Sequence, residues 1–272
     1  MADRVVAGVA VSRVDLGGMP CDLVDRAGAE RMLHESLGGG GPQPLLVASA
    51  NLDKIYRFGR GRPQDGFFTR SALRDHWLVL LDGAPLAVQA RRLTGVAWPR
   101  LAGADLLPWL LDAASAAQLR VGFLGGPAST HARLRAIAPD RWPGLTIAGT
   151  WTAGPADLDT RPAELAAAVR AAHVDLLAVA LTPRGEWWLD EQAQRAGIRV
   201  GVAFGAAAEV LIDDTARAPE GWQRHGFEWA WRLLHEPRRL ARRYLVQGPR
   251  AYALLRRHSH GAAAQSGSSQ VS

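Results

Sequence analysis

The chain has 272 residues, of which 48% are hydrophobic and 21% charged, the proportions of a soluble globular protein with one principal domain and a proper core. Its formal net charge of +6 is carried almost wholly by arginine, because Lys54 is the only lysine, so the placement of the arginines tells more than their number. A lone cysteine, Cys21, excludes an intramolecular disulfide and a cysteine-built zinc site, and no window reaches the roughly 18 to 20 uninterrupted apolar residues of a spanning helix.

Met1-Ala2-Asp3-Arg4 leads into no long apolar run before Arg13 and Asp15, so no secretory leader is expected and a reducing, cytoplasmic setting with peripheral membrane contact is. The Gly38 to Gly41 run reads as a flexible loop. From there, short runs rich in Val, Leu and Ile predict strands at Leu45 to Ala50, Leu78 to Leu81, Val121 to Leu124, Leu145 to Ala148, Asp175 to Leu181 and Arg199 to Phe204. Between them, Ala104 to Ala117, Ser129 to Ile137, Pro162 to Ala172 and Glu186 to Ala196 have helical period. This alternation predicts an α/β fold, a Rossmann-like parallel sheet with flanking helices. After Arg217 the strand signal stops, and helical segments meet at Glu236-Pro237, where proline begins the second one. The expected division is an α/β core over 1–216, an Arg-rich helical appendage over 217–258 and a disordered tail over 259–272, rich in Gly, Ala, Ser and Gln.

In an open parallel sheet, ligands bind outside the carboxyl ends of the strands. The residues found there are Ser49-Ala50-Asn51, Asp82-Gly83, Gly125-Gly126, Thr182 to Glu186 and Gly205-Ala206, so fold logic places Asn51, Asp82 and Glu186 near one crevice. Asp82 follows an apolar strand, which suits a proton acceptor; an Asp-Gly turn is the plain alternative. Gly125-Gly126 fits either backbone approach to a phosphate or a tight turn. There is no Walker-type phosphate loop and no paired Asp-x-Asp, so neither a metal nor a cofactor is expected. His131, His173, His225, His235, His258 and His260 lack metal-ligand spacing and read as mostly solvent-facing. Ser49 lacks a hydrolase elbow. Trp187, Trp188, Trp229 and Trp231 read as packing residues rather than sugar platforms. Glu228, Trp229, Arg232, Arg239 and Arg243 fall near helical spacing, giving either a guanidinium face for phosphate or a solvated basic helix.

Several of these stretches together resemble the WecG/TagA/CpsF glycosyltransferases: Ser49-Ala50-Asn51 loosely matches that family's Thr-Pro-Asn-like motif and Asp82-Gly83 its Asp-Gly motif. Gly103-Ala104-Asp105-Leu106 is similar to the family's Gly-x-Asp-Leu helix start, Phe123-Leu124-Gly125-Gly126 to its strand and glycine turn, and Pro183-Arg184-Gly185-Glu186 to its Pro-Lys-Gln-Glu motif. Arg217-Ala218-Pro219, Phe227-Glu228-Trp229, Arg232 and Glu236-Pro237-Arg238-Arg239 follow its carboxy-terminal signature, so the likeness covers nearly everything from Leu45 to Tyr244. It implies Asp82 as general base, with Ser49, Asn51, Gly103, Asp105, Gly125, Gly126, Pro183, Arg184, Glu186, Gly205, Arg217, Arg232, Arg239 and Arg243 binding substrate. The implied reaction is inverting, metal-independent transfer of a sugar from a UDP-sugar to a polyprenyl-diphosphate-linked saccharide at the cytoplasmic membrane face, in cell-surface polysaccharide or teichoic-acid-type synthesis. The implied donor is UDP-N-acetylmannosamine, the implied acceptor a GlcNAc-diphospholipid, and self-association is implied as well. Gly185 stands where glutamine is expected, Ala208 and Glu209 where Phe and Asp are, and Asp213 where glycine is; these departures bear on donor choice and activity rather than on fold.

Two other functions compete. One is a non-catalytic binder of anionic membrane or nucleic acid built on the basic tail, although tryptophans and Glu228 interrupt that charge and no nucleic-acid partner is expected. The other is a degenerate sugar-nucleotide binder, against which the intact Asp82 argues.

Overall fold

The computed structural model describes residues 2–6, 8–39, 41–68, 76–205, 207–212, 228–235 and 237–261. Its centre is laid down by β4 (Leu45–Ala50) and β5 (Trp77–Leu81), in which every residue is buried, as strands covered on both faces must be. Parallel pairing extends the sheet through β6 (Arg120–Leu124), β7 (Thr146–Trp151), β8 (Leu176–Val179) and β9 (Val200–Ala203), in the spatial order β5-β4-β9-β8-β6-β7. All the strands expected from the sequence are present, and the fold is mixed α/β with a mostly parallel sheet.

Helices cover both faces. One face carries α1 (Arg26–Leu37), α4 (Gly103–Ala116), α5 (Ala128–Arg141) and α9 (Ala207–Ile212), whose Met32, Leu33, Leu107, Leu110, Leu134 and Leu211 pack with Val47, Leu80, Val121 and Val202. The other face carries α2 (Leu52–Phe58), α3 (Ala84–Thr94), α6 (Pro155–Thr160), α7 (Pro162–Ala171) and α8 (Arg184–Ala196), with Ile55, Phe58, Leu86, Leu158, Val169 and Leu189 on Ala48, Val79, Leu177 and Val179. Trp188 is buried in that core, a packing residue as expected.

An antiparallel extension that the sequence reading did not assign lies beyond β5. β1 (Ala2–Val6), β2 (Val9–Leu16) and β3 (Met19–Leu23) form a meander, and β3 meets β5 in parallel at Asp22 and Leu80. The β2–β3 turn is Gly17-Gly18, both at positive φ, a two-residue hairpin loop of the kind glycine serves best. The weld between meander and parallel sheet is Asp22, whose buried carboxylate accepts from Arg4 Nε at 3.1 Å, Arg13 Nε at 2.9 Å and the Val79 amide at 2.7 Å. Arg4 also donates to the Trp77 carbonyl.

The carboxy-terminal part is helical: α10 (Glu228–His235), α11 (Pro237–Ala241), a π-helical turn at Arg242–Gln247 and α12 (Gly248–Arg257). Pro237 starts α11, as the sequence predicts. Pro249, without an amide donor, lies two residues past the widened π turn, in the first turn of α12. α12 lies on α2, with Ala251 and Leu255 fully buried beside Ile55. Past it, the Gly18 amide donates to His258 O at 3.1 Å, the Gly17 amide to Ser259 Oγ at 3.0 Å, and β10 (His260–Gly261) pairs with β2. Residues 262–272 of the expected tail lie outside the described residues.

Asp22→Ala removes the one buried acceptor shared by Arg4, Arg13 and the Val79 amide, and is expected to cost about 3–5 kcal/mol in urea unfolding; an unchanged midpoint would show that the weld is dispensable. Leu255→Ala is expected to cost about 2–5 kcal/mol by the same measurement, and to speed proteolysis within 248–261 ahead of global unfolding.

Candidate active site

Asn51 ends β4 and caps α2. Its Oδ1 accepts the Lys54 amide at 3.0 Å, the ordinary duty of an N-cap, and this commits the amide nitrogen to the opposite direction. There Nδ2 lies 3.4 Å from Asp82 Oδ2, at the long end of hydrogen-bond range. Asp82 is held by its backbone, its amide donating to Ala50 O at 2.8 Å, and Gly83 follows at φ 116°, a conformation that frees the chain to turn into α3. A half-buried carboxylate thus stands at the carboxyl end of β5 with a neutral donor aimed at it. Ser49 is buried within β4, two residues before Asn51.

Deeper in the site is a charge pair that the sequence reading passed over. Lys54, 4% exposed, places Nζ 2.5 Å from Glu186 Oε1 and 3.1 Å from the Ala203 carbonyl, and the Glu186 side chain is 0% exposed. Thr182 Oγ1 donates to the same Glu186 oxygen at 3.3 Å, while Oε2 is buried without a hydrogen-bond partner among the described residues. The signal that could have found Lys54 is compositional: it is the one lysine in a chain that otherwise uses arginine. Pro183 caps α8, and Arg184 lies exposed, 3.1 Å from Asp159 and over the Trp187 ring, so its charge is committed to a surface pair. Gly185 packs where a Cβ would meet Val179 Cγ1 at 2.7 Å, which leaves no room for the glutamine that the motif resemblance suggests.

A crevice lies over the ends of β6, β8 and β9, where chain connections diverge, β6 running outward to β7 and β8 back to β9. Gly125 and Gly126 have φ of 83° and 85°, and a Cβ on Gly125 would strike Leu181 at 2.6 Å. The crevice is lined by Phe123, Gly125, His131, Phe204, Gly205 and Ala208, among others. His131 is buried with Nε2 2.9 Å from Gly125 O, which corrects the expectation of a solvent-facing ring: it braces the glycine turn from beneath. Gly103 opens α4 where a Cβ would meet Phe204 at 2.6 Å, and Asp105 in the first turn stands 3.9 Å from Arg100.

Of the expected tail arginines, Arg217 lies outside the described residues, as does the departure at Asp213. Arg232 and Arg239 sit on α10 and α11 with side chains outside the described set. Arg243 is described: its guanidinium is 3.6 Å from Asp53, which also accepts from Arg57 at 3.2 Å. The appendage therefore reaches the first turn of α2, two residues from Asn51. Among the described residues no helix is long and apolar enough to cross a membrane, and no three His, Cys, Asp or Glu side chains converge in a metal-binding group.

The structure thus brings Asn51, Asp82, Lys54, Glu186, Gly205 and Gly125 into one row along the carboxyl edge of the sheet and leaves Arg184 outside it. A family model described as "Glycosyl transferase WecG/TagA/CpsF family" matches residues 14–264, from β2 to beyond β10. Among curated proteins, an N-acetylglucosaminyldiphosphoundecaprenol N-acetyl-beta-D-mannosaminyltransferase of Bacillus spizizenii is 28% identical over 186 residues, covering 68% of this chain and 70% of that protein. With the family match spanning the whole parallel sheet and the docked appendage, the chain belongs to the WecG/TagA/CpsF family of glycosyltransferases.

Proposed function

We propose that this glycosyltransferase moves N-acetylmannosamine, or a close relative of it, from a UDP-sugar to a polyprenyl-diphosphate-linked GlcNAc acceptor, with inversion. The observation that carries the reading is the Asn51–Asp82 pair at the strand ends, on the same sheet edge as the crevice that Gly125 and Gly205 help to line, in a chain of this family. The relative's name describes transfer to an undecaprenyl-diphosphate GlcNAc, and the same acceptor chemistry is proposed here.

In the proposed reaction Asp82 takes the proton of the acceptor hydroxyl as that oxygen bonds to the anomeric carbon. The bond from that carbon to the donor's phosphate oxygen breaks, and UDP leaves with the electron pair. A single displacement of this kind inverts the anomeric centre. Asn51, its amide oriented by its capping bond, keeps the Asp82 carboxylate turned toward the acceptor. Ser49, Gly103, Asp105 and Gly205 shape the sugar site, Gly125 and Gly126 offer backbone to phosphate, and Pro183 caps the helix that carries Glu186. Arg217, Arg232, Arg239 and Arg243 supply positive charge for the diphosphates.

A lipid-held acceptor requires peripheral membrane contact. The appendage offers the means: Leu234, Leu245, Val246 and Tyr252 are exposed large apolar side chains set among Arg238, Arg242 and Arg250, which are exposed as well. Gly185 presents no side chain where the family motif has glutamine, and a Cβ there would meet Val179, which supports a donor preference of its own.

The decisive assay is UDP release from a panel of UDP-sugars with a GlcNAc-diphospholipid analogue. Asp82→Asn is expected to lower kcat about 10²- to 10⁴-fold with folding intact, and Asn51→Ala to lower it roughly 10- to 100-fold; full activity in Asp82→Asn would remove the proposed base. Leu245→Asp is expected to reduce turnover of acceptor in vesicles while leaving a short-chain soluble acceptor unaffected, and equal loss on both would place Leu245 in the site instead.

A further inference from the structure

Among the described residues, Lys54 and Glu186 form a fully desolvated pair between the two halves of the candidate site, and the proposed reaction uses neither as an acid or a base. A buried pair is a poor way to gain stability, because the attraction between the charges barely offsets the loss of their hydration, and apolar replacements are often as stable or more so. What such a pair does provide is a fixed distance. Lys54 belongs to the first turn of α2, directly after the Asn51 cap that faces Asp82, whereas Glu186 belongs to the first turn of α8, just after β8, where Thr182 donates to the same carboxylate oxygen. The ammonium also donates to Ala203 O at the end of β9, so its head draws three segments together. A compact ammonium can do this inside a small buried space, while a guanidinium needs a wider planar slot, which explains a lysine in a chain of arginines. Glu186 is moreover neutralised and fully covered, so it does not present a bare carboxylate to incoming phosphate.

We infer that Lys54 is a positioning residue: through Glu186 and Ala203 it clamps residues 182–186, the entry into α8, to the Asn51–Asp82 side, so that the base and the donor segment share one rigid frame. The kinetic consequence rests on the proposed transfer reaction. The clamp itself does not.

The test is the double variant Lys54→Met/Glu186→Leu, which removes both charges and keeps the site filled, measured beside the wild type. Its thermal midpoint is expected to stay near that of the wild type or rise. Hydrogen exchange is expected to quicken together in 51–58 and 182–188 and to remain unchanged in β6 and β7. In the UDP-release assay kcat is expected to fall about a hundredfold, the order of loss that a misplacement of about 1 Å produces, with the donor KM little changed. Unchanged exchange in both segments would overturn the clamp, and so would wild-type kcat in the folded double variant. A raised donor KM with unchanged kcat would overturn it too, making the pair part of donor binding. If the double variant fails to fold, Lys54→Met alone is measured by the same exchange experiment, and exchange confined to one of the two segments overturns the clamp. A wild-type protein that turns over no donor, yet whose variant shows the paired rise in exchange, would retain the clamp and sink the transferase reading alone.

Discussion

Much of the site hangs on one bond, from the backbone amide of Lys54 to the side chain of Asn51. A helix of seven residues has little strength of its own, and its first turn needs a side-chain acceptor to close. Asn51 supplies that acceptor and in doing so turns its other end toward Asp82. The next residues of the same turn reach elsewhere: Asp53 to Arg243 of the appendage and Lys54 to Glu186. One capped turn therefore meets Asp82, Arg243 and the start of α8. Local backbone chemistry here becomes the geometry of the candidate site.

The surroundings hold that turn still. Beneath α2 lie Ile55 and Phe58 in the core, and Phe58 meets the rings of Phe67 and Phe68 at 5.5 Å and 4.8 Å between centroids, contacts that resist rotation of the helix. α12 covers its outer side, and the Gly17-Gly18 turn approaches so closely that a Cβ on Gly18 would meet the Arg60 amide nitrogen at 2.4 Å. Polar attachments at one end and apolar packing at the other divide the work. Packing sets where the helix lies, and hydrogen bonds set how its first turn is rotated.

The parallel strands were legible because burial on both faces demands unbroken apolar runs, and β4 and β5 are such runs. The amino-terminal meander was not, because Arg4, Arg13 and Asp22 interrupt its pattern, and only their meeting in space turns three charges into an anchor. Its one local cue was Gly17-Gly18 between two alternating segments. At the site, Asp82 and Asn51 could be picked out by position at strand ends, yet Asn51's second duty as a helix cap was hidden by the ligand role assigned to it. Lys54 and Glu186 lie far apart in the chain, and no spacing rule joins residues on different strand ends. Among the histidines read as mostly solvent-facing, His131 is the buried exception, its ring set against the Gly125 carbonyl.

The pairing of β10 with β2, together with the bond from Gly17 to Ser259 across 242 residues, has a consequence for how the molecule is made. While the chain emerges from the ribosome, β2 lacks one of its partners and α2 lacks the cover of α12 until residues 248–261 have been synthesised. Contacts that close so long a loop also form late and slowly. The hairpin edge and the outer flank of the candidate site thus wait on α12 and β10, so a nascent chain that has not reached residue 261 has its parallel sheet but lacks the cover over α2.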